Sequence, residues 1–445
     1  MPEIASPSAS TLTPAKTARQ RTDTFTSIWM MIAVAMAIAT LVAKSRMPQP
    51  LWTMIHLVTL GVLSNGIFQW SWFFARSLAR LSTDDARARR HNTIRVLIFN
   101  AFFASLFVSM WLGWMVGTVI AATGIAAVAA WHGAEMLSVL RERLASRFVV
   151  VVRYYVCSAA FFVLAALLAS FVTATMFSPS IPEAMVAMRD RLTLAHALSG
   201  VAGWVGLTIG GTVITLGPTI LRTRMSPDAV SGGVRVLLPW CLSLLLAIAG
   251  ALLGVMPLVG AGILAVGACA IVGIVYPYAK VLRNKGPREY SAWSFLLGLL
   301  WISVGVCALG VSALFISTPS QLRALTLMWL PIIGIAGFAQ LFQGALSYLM
   351  PVVIGGGPSI VRIGIAIIDW QFPLRLGLRN SALILELFLF FAGDSPSVHV
   401  LRMAGWFLVI ATFVIDVVIY AKTGVTQARA RRARSETLSE SRQVQ

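Results

Sequence analysis

The feature that most constrains this chain is a series of twelve long apolar segments separated by short polar loops. A helix needs roughly 20 apolar residues to cross a bilayer, whereas a membrane-spanning strand needs about ten. In lipid only helices and closed barrels satisfy their backbone hydrogen bonds. The sequence therefore predicts an all-α integral membrane protein whose partner is the lipid bilayer. The predicted spans are 27–44, 50–74, 93–112, 114–138, 150–177, 192–220, 236–254, 257–280, 292–316, 325–353, 380–395 and 399–421.

The composition excludes several other classes of protein. The chain is 58% hydrophobic and 11% charged, whereas soluble domains carry about 25% charged residues. The net charge of +19 would suggest nucleic acid in a soluble protein. In a membrane protein the same excess is expected from positively charged cytoplasmic loops, so no nucleic-acid partner is predicted. The four cysteines lie alone in apolar runs, which predicts neither disulfides nor a zinc site.

The basic residues indicate the orientation of the chain. If the N-terminus is cytoplasmic, 29 of the 35 Lys and Arg residues fall in inner segments, including residues 76–95 and 362–379. This bias predicts a multi-pass protein of the cell membrane with both termini in the cytoplasm. The apolar spans and the polar segments on either side of them predict three regions. These are a disordered cytoplasmic tail over 1–26, a transmembrane domain over 27–421 and a basic cytoplasmic tail over 422–445.

The second, sixth and tenth spans resemble one another. All three are long and rich in small residues, and the sixth and tenth share a tail, TLGP at 215–218 and SYLMP at 347–351. The predicted arrangement is three four-helix units about a pseudo-threefold axis, with these spans at equivalent positions. A second interpretation stays open, because glycine-rich transmembrane helices resemble one another without any repeat.

Two histidines lie at matching places in this repeat. His56 is about two turns into the second span and His196 about two turns into the sixth, both counted from the outer side. Imidazole inside a membrane usually faces the protein interior, and it commonly binds copper or haem iron. The pair is therefore a candidate cofactor and metal site, with His399 as a possible third ligand and Trp329 at the third equivalent position. The alternative is that each ring hydrogen-bonds to a neighbouring carbonyl.

Two carboxylates fall within predicted spans. Glu386 is placed about six residues into the eleventh span from the inside, and Asp416 in the inner third of the twelfth. Intramembrane acids often line proton or cation paths, which predicts a small-molecule or ion permease. They can equally pair with arginines near the inner surface.

Several segments resemble a known family. The stretches HLVTLGVLSNGIFQWSWFFARSL (56–78), RFVVVVRYYV (147–156), AHALSGVAGWVGLTIGGTVITLGPTILRTRM (195–225) and FQGALSYLMPVVIGGGPSIVR (342–362) resemble an actinobacterial family of twelve-helix membrane proteins. Its members include the transmembrane N-terminal regions of copper nitrite reductase-like and multicopper oxidase-like proteins. That region is similar to NnrS, a haem- and copper-containing protein tied to nitric oxide stress, and more distantly to subunit I of haem–copper oxidases.

The resemblance implies roles for particular residues and also limits them. His56 matches a haem-ligating histidine of subunit I, and His196 matches a copper-binding one. Trp329 and Pro331 stand where the haem histidines of the tenth helix would lie, so oxygen reduction is not implied. The fused cupredoxin domains are missing, which implies a separate cupredoxin-type partner enzyme. The expected function is haem or copper binding in nitric oxide or copper stress, without catalysis by this chain alone. The alternatives are a metal-free permease and a membrane docking partner for a copper enzyme.

Overall fold

The computed structural model describes residues 18–43, 48–83, 85–142, 148–177, 182–393 and 395–443. These residues are mostly helical, and no strand occurs among them. They fall into two compact units, and the boundary between them along the sequence lies between Gly211 and Thr212.

Thirteen helices are numbered here in chain order, with π-helical turns counted as part of the helix that contains them. Unit 1 holds α1 (Ala18–Ala43), α2 (Pro50–Leu78), α3 (Ala86–Trp111), α4 (Met115–Glu142), α5 (Val149–Met176) and most of α6 (Glu183–Ala197, Leu198–Gly206 and Leu207–Ile220). Unit 2 holds the rest of α6 with α7 (Asp228–Leu253), α8 (Met256–Asn284), α9 (Tyr290–Phe315), α10 (Pro319–Ile354), α11 (Pro358–Ile368), α12 (Phe372–Phe391) and α13 (Pro396–Gln443).

The described helices identify a multi-pass membrane protein. Ten of them are long and apolar enough to cross a bilayer, namely α2 to α10 and α13. Their outer surfaces carry large apolar side chains: Phe315, Met403 and Phe407 are 82%, 74% and 75% exposed. Apolar surface of this extent is typical of a protein whose solvent is lipid. The remaining two predicted spans fall on α1, whose apolar part is shorter, and on α12, which carries two arginines and a glutamate.

Four helices contain a π-helical stretch. The stretches are Leu57–Ser64 in α2, Leu198–Gly206 in α6, Ile271–Val275 in α8 and Ile332–Ala339 in α10. A π-helical turn widens the helix and shifts the direction of the side chains that follow it, and such turns are frequent at functional sites. Three of the four fall in the spans that the sequence comparison grouped together.

Each unit has its own core. In unit 1 the rings of Phe68 and Trp204 lie 5.4 Å apart, and Phe162 stacks on Trp204 at 4.7 Å. In unit 2 the buried Trp301 and Trp329 pack with aliphatic side chains of α10, α12 and α13. Between α10 and α11 the chain turns through Gly355, Gly356 and Gly357, which all have positive φ and so need residues without a Cβ.

Several helix ends differ from the sequence-based expectation, and three of these differences concern the tails and the predicted site. Helix α1 begins at Ala18, inside the segment predicted as a disordered tail, whereas residues 1–17 lie outside the described part. Helix α12 begins at Phe372 and not at residue 380, because buried acceptors allow two arginines inside its first turns. Helix α13 continues through the basic tail to Gln443.

Candidate functional site

His56 lies in unit 1 at the end of the first α-helical part of α2. The next residue, Leu57, begins the π-helical stretch. The ring Nδ1 of His56 lies 2.8 Å from the backbone oxygen of Trp52, one turn earlier. The indole of Trp52 stacks on the imidazole, with ring centroids 4.3 Å apart and planes 23° from parallel. The ring is thus oriented by a single residue of its own helix.

His196 lies in α6, two residues before the π-helical stretch of that helix. Its Nδ1 is 2.8 Å from the backbone oxygen of Ala165, which belongs to α5. This carbonyl lies in mid-helix, so the imidazole bonds to a neighbouring helix and not to its own. The orientation of His196 therefore depends on how α5 packs against α6.

These two hydrogen bonds determine the tautomer of each ring. A carbonyl oxygen only accepts hydrogen bonds, so Nδ1 must carry the proton in both histidines. In the neutral imidazole the other nitrogen, Nε2, then keeps its lone pair. Each ring accordingly presents Nε2 as a base or as a metal ligand, in the manner of metal-binding histidines that donate their other N–H to a carbonyl.

The structure brings the two predicted residues together. The ring centroids of His56 and His196 lie 6.1 Å apart, and their planes are 18° from parallel. Aromatic residues of α2 and α3 lie on the side of His56. The rings of Phe107 and Trp52 are 6.2 Å apart, and the indole of Trp111 donates to the hydroxyl of Thr53 over 3.0 Å. The pair therefore sits in a mainly apolar part of unit 1.

The donor set fits a metal held by two imidazoles. Each neutral ring offers one nitrogen, Nε2, and the two ring centroids are 6.1 Å apart. Imidazole is a suitable ligand for copper and for haem iron. Among the described residues no group of three or more His, Cys, Asp or Glu side chains converges on one point. The chain's own contribution is thus a two-nitrogen site.

The other residues of the predicted site lie in unit 2. His399 is in the first turn of α13, where its backbone N–H donates to the oxygen of Ser395 over 3.0 Å. Its role as a third ligand stays a prediction. Trp329, the residue at the third equivalent position, is buried in the apolar core around Trp301 and does not offer a ligand atom.

Asp416 lies at the centre of a buried network of charged and polar groups in unit 2. Its two oxygens accept hydrogen bonds from Arg375 and Arg379 of α12. The hydroxyl of Tyr290 donates to the same carboxylate over 2.6 Å. Arg379 also donates to Gln343 of α10 over 3.0 Å. The predicted pairing of this carboxylate with arginines is present, but the arginines are buried inside a helix and not in the inner loop where the sequence placed them.

Glu386 occupies a different position from the one expected. Since α12 begins at Phe372, Glu386 lies in the last third of the helix and not near its start. It is buried and interacts with Arg402 and with the indole of Trp406, both on α13. One carboxylate oxygen, Oε1, is buried with no hydrogen-bond partner. The two predicted acids therefore belong to separate environments on α12 and α13.

Sequence reasoning missed the residues that complete these sites. Arg375 and Arg379 are four residues apart, a spacing that places both on one face of a helix, and this signal was available. Tyr290 gave no such signal, because it reaches Asp416 from a distant part of the chain. His132 is fully buried in unit 1.

Comparisons of the sequence with models of known families and with curated proteins find no match. The class of protein therefore follows from the fold alone, which is that of an all-α, multi-pass membrane protein.

Proposed function

We propose that this chain is a membrane protein that holds copper or haem iron between His56 and His196, in a role like that of NnrS in nitric oxide or copper stress. The observation that carries the proposal is the ring pair itself. In both rings Nδ1 lies at hydrogen-bond distance from a carbonyl, which leaves Nε2 as a donor atom, and the ring centroids are only 6.1 Å apart.

The two candidate groups would do different work. His56 and His196 would hold either group through Nε2; haem iron would supply electron transfer, and copper would supply binding of a small ligand. In both cases the chain's own part is to fix the ring orientation through Trp52 and Ala165.

The proposed architecture is twelve spans in the plasma membrane with both termini in the cytoplasm. It adds α1 and α12 to the ten helices that are long and apolar enough by themselves. Arg80 lies in the loop before α3, and Arg87 and Arg90 lie in the first turns of α3. All three are exposed, which supports a cytoplasmic surface at the N-terminal end of α3.

The proposed pseudo-threefold repeat is supported by the π-helical stretches. Those of α2, α6 and α10 begin at Leu57, Leu198 and Ile332, which are 141 and 134 residues apart. The first interval agrees with the 140 residues between His56 and His196, and the second agrees with the 133 residues between His196 and Trp329. A π-helical turn is rare enough that three at corresponding positions favour a common origin for these helices.

The experiment is a visible spectrum and a metal analysis of the full chain purified in detergent. We expect either a Soret band or about one copper per chain. His56→Ala and His196→Ala should each lose most of the signal, because one remaining imidazole binds far more weakly than two. His91→Ala, which changes a half-buried histidine in the first turns of α3, is the matched control and should keep the wild-type signal.

A wild-type protein with neither haem nor copper would overturn the proposal. It would leave the permease hypothesis, in which Glu386 and Asp416 line a proton or cation path, and the hypothesis of a docking partner. The separate cupredoxin-type enzyme implied by the sequence resemblance is the partner in the docking hypothesis. Binding of a copper-loaded cupredoxin to the membrane-embedded chain tests it.

A further inference from the structure

A second polar site lies in unit 1, among α2, α3 and α4. Arg95 of α3 and His132 of α4 are both fully buried. Each has polar atoms with no partner in the protein: Nε and Nη1 of Arg95, and Nδ1 of His132. Buried polar groups in folded proteins are almost always hydrogen-bonded, so two such side chains together indicate a missing partner.

Arg95 is a buried cation with spare donors. Its one hydrogen bond runs from Nη2 to the amide oxygen of Asn92, over 2.6 Å. The guanidinium also lies 6.0 Å from the ring centre of Trp131. The nearest carboxylate that acts on it, Glu135, is only half-buried and interacts with it through space. Burying a guanidinium this incompletely paired is strongly unfavourable, which favours a bound anion beside it.

His132 contributes an acceptor at the same site. Its Nε2 lies 3.0 Å from Oγ of Ser71, whose hydroxyl hydrogen is already donated to the oxygen of Ile67 over 2.6 Å. With the hydroxyl hydrogen of Ser71 directed at Ile67, the hydroxyl oxygen accepts from the ring, and Nε2 then carries the proton of the neutral imidazole. The remaining atom, Nδ1, is left with a lone pair and no donor.

The two unpaired groups are close in space. The guanidinium of Arg95 lies 6.0 Å from the ring centre of Trp131, which is on the same helix as His132. Phe99, one turn after Arg95, packs on Phe68, and Phe68 packs on His132, with ring centroids 4.8 Å apart in both pairs. The rings of Phe68 and Trp204 hold the imidazole edge-on, with centroids 4.8 Å and 6.0 Å from it. A ligand between the two groups would receive hydrogen bonds from the guanidinium and donate one to Nδ1.

We propose that Arg95 and His132 bind a small oxyanion that carries one O–H group, bicarbonate being the smallest of this class. Its charged oxygens would accept from Nε or Nη1 of Arg95, and its hydroxyl would donate to Nδ1 of His132. Nitrate has the same planar shape and charge but no hydrogen, so it satisfies Arg95 alone. The site is independent of the metal proposed at His56 and His196.

The test titrates the purified full chain with bicarbonate and, separately, with nitrate at constant ionic strength in gluconate buffer. The readouts are the thermal unfolding midpoint and tryptophan fluorescence, to which Trp131 contributes. We expect a saturable rise of the midpoint with bicarbonate, at an affinity at least about tenfold above that of nitrate, because one hydrogen bond at a charged site is lost with nitrate. Arg95→Gln should abolish both responses, and Arg90→Gln, an exposed residue of the same helix, should change neither.

The variant His132→Leu tests whether His132 recognises the hydroxyl group of the anion. It should lose the preference for bicarbonate while keeping a response to nitrate, since Arg95 remains. Equal affinities for the two anions in the wild type would overturn the proposed role of His132. Absence of any saturable response in the wild type would overturn the site as a whole and leave ordered water as its occupant. The wild-type comparison decides the matter even if a variant fails to fold.

Discussion

The indole N–H of Trp204 donates a hydrogen bond to Oγ of Ser64 over 2.9 Å, and so joins the π-helical stretches of α2 and α6. The hydroxyl of Ser64 in turn donates a hydrogen bond over 2.8 Å to the backbone oxygen of Thr59, five residues earlier in the same stretch. The pair thus links two helices that each carry one imidazole of the candidate metal site. The relative position of His56 and His196 depends on contacts of this kind.

Removing this link should destabilise unit 1. We expect Ser64→Ala and Trp204→Phe each to lower the free energy of unfolding by about 1–2 kcal/mol. Ser64→Ala leaves the buried indole N–H of Trp204 without an acceptor, and Trp204→Phe removes the hydrogen bond together with part of a buried ring. The double variant should cost less than the sum of the two. Ser105→Ala is the control, since the exposed hydroxyl of Ser105 bonds only within its own helix. Thermal unfolding in detergent measures all four variants, and strictly additive effects would contradict the coupling.

Asp416→Asn should be among the most damaging changes in unit 2. It would leave the guanidinium groups of Arg375 and Arg379 buried without their counter-charge, and loss of one partner from a buried ion pair lowers the free energy of unfolding by about 3–5 kcal/mol. The matched control is Asp228→Asn, which breaks an exposed pair with Lys280 and should leave the unfolding midpoint unchanged. Similar midpoints for the two variants would contradict a buried network.

The unfolding midpoint should depend on pH in acid because of Asp85, which lies directly before α3. The backbone N–H groups of Ala88 and Arg87 hold the pKa of Asp85 below its ordinary value of 3.8, with a further contribution from Arg76. A lowered pKa contributes stability above the unfolded-state pKa, and this stability is lost as the pH falls through the folded-state pKa. The midpoint of the wild type should therefore exceed that of Asp85→Asn near pH 6 and approach it below about pH 3. A difference that does not vary with pH would contradict the role of the charge.

The orientation of the chain can be tested with reporters. A reporter fused after Gln445 should be active only in the cytoplasm, because the inner segments hold 29 of the 35 basic residues. A reporter fused to a chain truncated after Gly393, between α12 and α13, should be active only on the opposite side. Activity of both on the same side would remove one helix from the proposed count.

The apolar segments were sufficient to predict the class of protein and the places of its helices. Hydropathy is a sum of local transfer free energies, so it needs no knowledge of what each segment packs against. The ten helices that are long and apolar enough lie where spans were predicted, with ends shifted by a few residues in most cases. The π-helical stretches had no comparable signal, because their hydrogen-bond pattern depends on the packing of neighbouring helices.

The sequence by itself determined that this is an integral membrane protein, that it is helical, and that His56 and His196 are candidates for one site. Only the tertiary structure decided how they meet, since the carbonyl of Ala165 that orients His196 comes from another helix. The same holds for Arg379, which is buried because Asp416, 37 residues later, accepts its hydrogen bond. The physical reason is that transfer into lipid is a property of each segment. Satisfying a buried proton donor requires an acceptor that only the packing of distant helices supplies.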